Sequence, residues 1–200
     1  MIVDFVKQHS LEPRLERKYY LPAYQNYVLK PYITLAKEAL GEIYYRRKIN
    51  NIYFDTSNLS FFQDNLIGAQ DRLKVRLRWY GEEPVKEPNL EIKMKMSDLI
   101  YKLVMPFDDQ LSLPIKNLMK KLKPSVNNSY YRKYYLTHNK KVRLTVDTEI
   151  LFDKVKSPKT VVELKYATKD ESQAMRLISQ FPLLLQKNSK YVDGIAISRF

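Results

Sequence analysis

An α+β fold of about eight antiparallel strands, curved into a barrel with flanking helices, is what the sequence predicts, and three observations predict it. Period-2 alternation of apolar and polar residues recurs in eight separate stretches. Helical spacing is confined to four others. The 200 residues hold only 4 glycines against 16 tyrosines and 8 phenylalanines, a composition rich in strand-favouring aromatics.

Taken in order, Leu15 to Tyr20 alternates so that Glu16, Lys18 and Tyr20 share a side, and Lys48 to Asp55 is the second strand. Leu73 to Trp79 alternates most cleanly, with Leu73, Val75, Leu77 and Trp79 on one face and Lys74, Arg76 and Arg78 on the other. Tyr80-Gly81-Glu82-Glu83-Pro84 then turns the chain. Leu90 to Met96 separates Glu91, Lys93 and Lys95 from its apolar residues. Further strands follow at Leu99 to Pro106, Ser129 to Thr137 and Val142 to Leu151, the last with Arg143, Thr145, Asp147 and Glu149 on one face. Val161 to Tyr166 closes the set, with Glu163 beside Lys165. Helical spacing covers Ala23 to Leu40, restarted at Pro31, then Asn58 to Ile67. It returns over Leu113 to Lys121, with Pro114 near the start and Pro124 beyond the end, and over Asp170 to Phe181, which opens on an Asp cap. Trp79, ending an apolar face, is expected in the core. His9 and His138 are expected on the surface, and Lys120-Lys121-Leu122-Lys123 at a solvated helix end. No linker, repeat or low-complexity tract divides the chain, so a single domain over 1–200 is expected.

Composition narrows the chemistry. No cysteine is present, which removes thiol catalysis, Cys-ligated zinc and iron–sulfur clusters. Two histidines leave little for a His-rich metal site or a triad. Lys+Arg number 35 against 22 Asp+Glu, a formal charge of +13 that calls for an anionic partner. The N-terminus lacks the positive and apolar regions of a secretory signal, and no run reaches the roughly 18–20 apolar residues of a spanning helix. A soluble, cytoplasmic chain with no membrane span is expected.

The polar faces are ionic rather than mixed: Lys74, Arg76, Arg78, Lys93, Lys95, Arg143 and Lys165. Three cations at i, i+2 and i+4 of one strand repel unless carboxylates or a polyanion lie between them. A solvated outer face is the ordinary reading of one such strand, but its repetition favours a shared ligand surface. In a closed barrel with apolar residues outward, these faces converge on the lumen. There a linear phosphate chain suits them, since Arg forks phosphate oxygens and Lys acts as a point charge. A carboxylate among them, such as Glu163, suits a divalent metal.

These segments resemble the vacuolar transporter chaperone (VTC) domain, a polyphosphate polymerase domain of the triphosphate-tunnel, CYTH-like superfamily. The matching pieces are LERKYYL (Leu15 to Leu21), NIYFDT with the FFQDNLIG segment, LKVRLRWYG (Leu73 to Gly81), LEIKMK, SYYRKYY, VRLTVDTEI, VVELKY and NSKYVDGIA, in the family's order over Leu15 to Ala196. The resemblance implies an eight-stranded antiparallel tunnel with a basic lumen that binds ATP or another nucleoside triphosphate and polyphosphate. It implies phosphate-binding roles for Lys18, Arg76, Arg78, Lys93, Lys102, Arg132, Arg143 and Lys190, with Ser189 beside the last, and a Mn²⁺ or Mg²⁺ ion on Glu163. Lys102, Arg132 and Lys190 rest on the resemblance alone. Arg72, Lys74 and Lys165 fit the basic faces in a supporting role.

Hydrolytic and cyclase members of the superfamily carry Glu-x-Glu-x-Lys on the first strand. Here the run is Arg14-Leu15-Glu16-Arg17-Lys18, so Arg14 replaces one metal-ligating carboxylate, which favours the polymerase branch. The fungal proteins append a phosphate-sensing domain and membrane helices that this sequence lacks, so coupling to a membrane is expected to need a separate membrane-protein partner. The expected reaction is transfer of the γ-phosphoryl group of ATP to a polyphosphate chain. A tunnel triphosphatase, a silent polyphosphate-binding accessory protein and a single-stranded nucleic-acid binder are the alternatives. The tyrosines count against the last: they occur in adjacent pairs that point to both faces of a strand, so at least half are structural.

Overall fold

A computed structural model describes residues 2–9, 15–82, 88–96, 99–186 and 189–199. The strands are β1 (Leu15–Pro22), β2 (Leu40–Asp55), β3 (Arg72–Tyr80), β4 (Asn89–Met96), β5 (Leu99–Pro106), β6 (Lys123–Thr137), β7 (Val142–Phe152), β8 (Val155–Lys156), β9 (Lys159–Tyr166) and β10 (Leu184–Leu185). The helices are α1 (Ile2–Gln8), α2 (Leu29–Leu35), α3 (Ser60–Ile67), α4 (Leu113–Met119), α5 (Glu171–Ile178) and α6 (Lys190–Arg199), with a 3-10 helix at Ala23–Val28 leading into α2. The long strands are the eight the alternation predicts; β8 and β10, two residues each, are additions. Strand order is β10-β1-β9-β7-β6-β2-β3-β4-β5, with β8 on β7. Every strand pairing whose register is recorded is antiparallel, and no pairing of β5 with β10 closes the ladder among the described residues. Among the described residues no helix is long and apolar enough to cross a membrane.

Two strands run longer than their patterns show. β2 begins at Leu40, not Lys48, because Gly41, Glu42, Tyr44, Tyr45 and Arg46 are all exposed and leave no apolar alternation to read. β6 begins at Lys123, so Pro124, beyond the end of α4 as expected, is already the second residue of a strand. Lys123 of the lysine run is therefore a strand residue, and Leu122 is buried. The helical spacing over Ala23 to Leu40 is realised only to Leu35, and Ala36 is already extended at ψ 127°. α1 and α6 carry no strong sequence signal; α6 contains Gly194 and β-branched residues of low helix propensity. Trp79 is half-buried rather than a core residue, while His9 and His138 are exposed as expected.

Two compact units, interleaved in sequence, carry these elements: 1–13, 49–128 and 189–200 form the first, and 14–48 and 129–188 the second. In the first, Val75 pairs with Ile92 and Leu77 with Leu90 across β3 and β4. Their apolar face packs with Val6 of α1, Leu103 of β5 and Ile115 of α4. In the second, Val142 pairs with Tyr166, Leu144 with Leu164 and Val146 with Val162. These residues pack with Ile33 of α2 and with Ala174 and Leu177 of α5. Each sheet segment thus buries one apolar face under helices, which leaves its other, ionic face to be explained.

Candidate functional site

On an outer, solvated face the ionic side chains would be exposed, and several are not. Arg78, Glu91, Arg132, Asp147 and Glu163 are buried, Asp147 completely. Ions leave water only against partners, so the arrangement of each cluster follows from its pairings.

In the first unit, register stacks the ionic residues in rows across β3, β4 and β5. Lys74 lies opposite Lys93, and Lys93 opposite Lys102. One step along, Tyr53 of β2 lies opposite Arg76, and Arg76 opposite Glu91; the next row is Asn51, Arg78 and Asn89. Arg72 and Lys95 form the row beyond the lysines. The face therefore carries seven cations, Arg72, Lys74, Arg76, Arg78, Lys93, Lys95 and Lys102, and one acid, Glu91. Three cations converge on that acid. Arg76 donates to Glu91 Oε2 from Nε at 2.9 Å and from Nη2 at 2.5 Å, while Arg78 Nη1 and Lys102 Nζ lie 3.4 and 3.3 Å from Oε1. Burial pushes the Glu91 carboxyl up, and Arg76, Arg78 and Lys102 outweigh it, holding it far below the ordinary carboxylate range. Asn51 aims Arg78 by accepting from its Nε at 2.9 Å, and Tyr53 accepts from Arg76 Nη1 at 3.0 Å. Lys74 donates to Ser189 Oγ at 2.8 Å, which brings Lys74 to the start of α6, where Lys190 follows.

In the second unit, Arg143, Lys165 and Glu16 form one row across β7, β9 and β1, and Thr145, Glu163 and Lys18 the next. Lys165 Nζ lies 2.7 Å from Glu163 Oε1 and 3.6 Å from Glu16 Oε2, and Lys18 Nζ lies 2.8 Å from Glu16 Oε1. Burial raises the Glu163 carboxyl, but Lys165, Lys18 and Arg132 together keep it well below its usual range. Arg132 forks Asp147 through Nε at 2.5 Å and Nη2 at 2.7 Å. Burial disfavours its charge, and Asp147 more than restores it.

The expected residues thus fall into two clusters: Lys74, Arg76, Arg78, Lys93, Lys102, Ser189 and Lys190 in one unit, and Lys18, Arg132, Arg143, Glu163 and Lys165 in the other. Arg72 is engaged with the backbone. Its guanidinium donates to the carbonyls of Ala69 at 2.7 Å and Gly68 at 3.5 Å, tying down the C-terminal end of α3. Glu149 leaves the ionic face of β7. Its φ of 53° breaks the alternation, so it is exposed and paired with Arg46. Arg14 lies outside the described residues. Alternation puts Glu91 and Asp147 on the ionic faces, but their role as the buried acids that hold arginines in place is visible only from the pairings.

A hard divalent cation takes oxygen donors, and Mg²⁺ commonly one or two carboxylates plus substrate phosphates. Glu163 is buried, Glu16 shares Lys165 with it, and Thr145, opposite Glu163 in register, has a buried Oγ1 with no hydrogen-bond partner. These oxygens fit such an ion. No group of three acidic, His or Cys side chains converges among the described residues, so phosphate oxygens would have to complete the shell.

Comparison with known proteins bears on the fold and the family. A search of curated proteins finds no match. Among solved structures, the chain is similar to a putative adenylate cyclase from Bacillus halodurans at 12% identity, covering 90% of this chain and 96% of that one, with a TM-score of 0.62. A protein from Pyrococcus horikoshii matches at 13% identity over 92% and 97% of the two chains, with a TM-score of 0.57. A putative adenylate cyclase from Vibrio parahaemolyticus matches at 13% identity with the same coverage and a TM-score of 0.56. At such identities these neighbours establish a shared fold alone. The family model for the VTC domain matches residues 8–112 and 107–199. With nearly its whole length matched, the chain belongs to the VTC domain family.

Proposed function

We propose that the protein is a metal-assisted polyphosphate polymerase, transferring the γ-phosphoryl group of a nucleoside triphosphate, ATP foremost, to the end of a phosphate chain. The observation that carries this reading is the ionic face of β3, β4 and β5, which carries seven cations and one buried carboxylate. Such a face has its match in a ligand carrying several negative charges at short spacing, as a phosphate chain does. An oxygen of the acceptor's terminal phosphate forms the new bond to the γ-phosphorus, and the bond from that phosphorus to the bridging oxygen of the β-phosphate breaks. The nucleophile is already anionic and the diphosphate leaves as an anion, so no protein general base is required.

The work of the side chains is positioning and charge neutralisation. Arg76, Arg78 and Lys190 in one unit, and Lys18, Arg132 and Arg143 in the other, bind phosphate oxygens; Lys74, Lys93, Lys102, Lys165 and Ser189 support them. Glu91 and Asp147 keep the arginines aimed, so little reorganisation is needed as charge develops. Glu163, with Glu16 and Thr145 near it, would hold Mn²⁺ or Mg²⁺, which when bound neutralises phosphate oxygens.

Purified protein incubated with ATP and Mn²⁺ tests the reading on a gel for polymer and by phosphate release. Polymer is the expected product. Orthophosphate alone would instead mean a triphosphatase, cyclic AMP a cyclase, and polyphosphate binding without turnover an accessory binder. Arg78→Ala and Glu163→Ala should each lower synthesis on the order of 10²–10³-fold, as loss of a preorganised electrostatic contact does. Full activity in both variants overturns the assignment.

A further inference from the structure

Adjacent tyrosines on a strand point to opposite faces, so one of each pair is expected inside. Three of the four pairs obey: Tyr19, Tyr130 and Tyr135 are buried, and Tyr20, Tyr131 and Tyr134 are half-buried. Tyr44 and Tyr45 break the rule, at 48% and 78% exposed. They lie in the part of β2 that has no apolar pattern, and a guanidinium is placed among their rings. Arg47 Cζ is 4.3 Å from the Tyr44 ring centre, 5.5 Å from that of Tyr45 and 5.3 Å from that of Tyr134. Tyr44 meets Tyr134 edge-on at 5.5 Å. Tyr134 in turn lies 6.0 Å from the guanidinium of Arg132, the buried arginine forked on Asp147. A continuous run of contacts within one unit therefore leads from a phosphate-binding arginine to two solvent-facing rings.

We infer that Tyr44, Tyr45 and Arg47 form the surface that takes the nucleobase of the donor nucleotide. The inference rests on the phosphotransfer reading and deepens it. A bare phosphate chain has no use for aromatic rings, whereas a planar heterocycle stacks on a tyrosine face and on a guanidinium plane. Two exposed rings beside one cation match a single base, joined by its ribose to phosphates held at Arg132. Stacking of this kind reads the π-face shared by all bases, so it discriminates nucleotide from inorganic polyphosphate more than one base from another.

The test titrates adenylyl imidodiphosphate and inorganic tripolyphosphate into wild-type protein, Tyr45→Ala and Tyr45→Trp with Mg²⁺ present. Tyr45 is exposed enough that neither change threatens folding. Tyr45→Ala is expected to weaken the nucleotide about tenfold, within the range of one lost base–aromatic stack, and tripolyphosphate less than about twofold. Tyr45→Trp, which keeps a stacking face, should retain nucleotide affinity. An unchanged nucleotide affinity in Tyr45→Ala, or an equal loss for both ligands, overturns the nucleobase assignment while leaving phosphotransfer standing. Binding of a ten-residue oligouridylate as tight as that of the nucleotide, with the same response to Tyr45→Ala, makes the surface a single-strand platform and also overturns it. Wild-type protein that binds neither phosphate ligand removes the phosphotransfer reading, and this one with it.

Discussion

Asp55 shows how a residue inside a family-like motif can be structural. Its carboxylate accepts from the backbone N–H groups of Thr56 at 2.7 Å and of Phe61 and Phe62 at 3.0 Å, while Thr56 Oγ1 accepts from Ser60 N at 3.0 Å. The orphan donors of the first turn of α3 are satisfied this way, although the residue at the helix cap, Leu59, contributes no side-chain bond. Tyr191 of α6 donates its hydroxyl to the same carboxylate and stacks on Tyr53, the residue that accepts from Arg76. Burial first, then the bond to Asp55, keeps the Tyr191 phenol protonated far into the alkaline range. Removing that hydroxyl leaves a buried carboxylate one donor short. Tyr191→Phe is therefore expected to lower stability by about 1–3 kcal/mol in urea unfolding. An unchanged midpoint would show that the bond contributes nothing.

At the scale of elements, the row of Lys74, Lys93 and Lys102 is the arrangement least expected of a sheet that only has to fold. Like charges directly opposite one another on neighbouring strands destabilise the pairing by about 0.2–1 kcal/mol. A phosphate chain laid across the row would turn that cost into binding. Lys93→Gln should hold or raise the melting temperature without ligand, by up to about 2–4 °C at low salt. The same change should weaken tripolyphosphate about tenfold, the loss of one charge-assisted contact. Calorimetry reads the first and titration the second. A clear fall in melting temperature would make the row part of the folding core instead. That these three lysines form a row was half legible: alternation puts Lys74 and Lys93 on ionic faces, but their register, and the place of Lys102, needs the pairing of β3, β4 and β5.

For the whole molecule, the charge of +13 is unevenly divided. The unit holding Lys18, Arg132 and Arg143 has 20 Lys+Arg against 9 Asp+Glu, a net +11; the other has 15 against 13, a net +2. Many acids of the second group lie in turns and helices, so its β3–β5 face stays cationic while its total is nearly neutral. The buried carboxylates set the response to acid. Glu91 and Glu163 both titrate lower in the folded chain than the roughly 4.3 of a free glutamate, so below that pH the unfolded chain binds more protons. Their stabilisation is complete above about pH 5 and is lost as pH falls through the ordinary glutamate range toward their depressed values. Urea midpoints should therefore fall steeply below about pH 4, and Glu91→Gln should flatten that fall. An equally steep decline in the variant would place the acid sensitivity elsewhere.

Eight strands, two chemically different faces and an excess of positive charge follow from the sequence itself, because a period of two residues is a local property that needs no partner. The same holds for the absence of thiol chemistry. Burial, register and exceptions to the period are set by distant segments, and those the tertiary structure decided. It sequestered Glu91, Asp147 and Glu163 against arginines and lysines, where the alternation showed only that they share a face with cations. A left-handed backbone took Glu149 off that face, and the carbonyls at the end of α3 claimed Arg72. Tyr44 and Tyr45 were left in water beside the half-buried Arg47, in a stretch of β2 whose lack of apolar alternation hid it from the pattern, because an exposed stretch of strand has no core face to display.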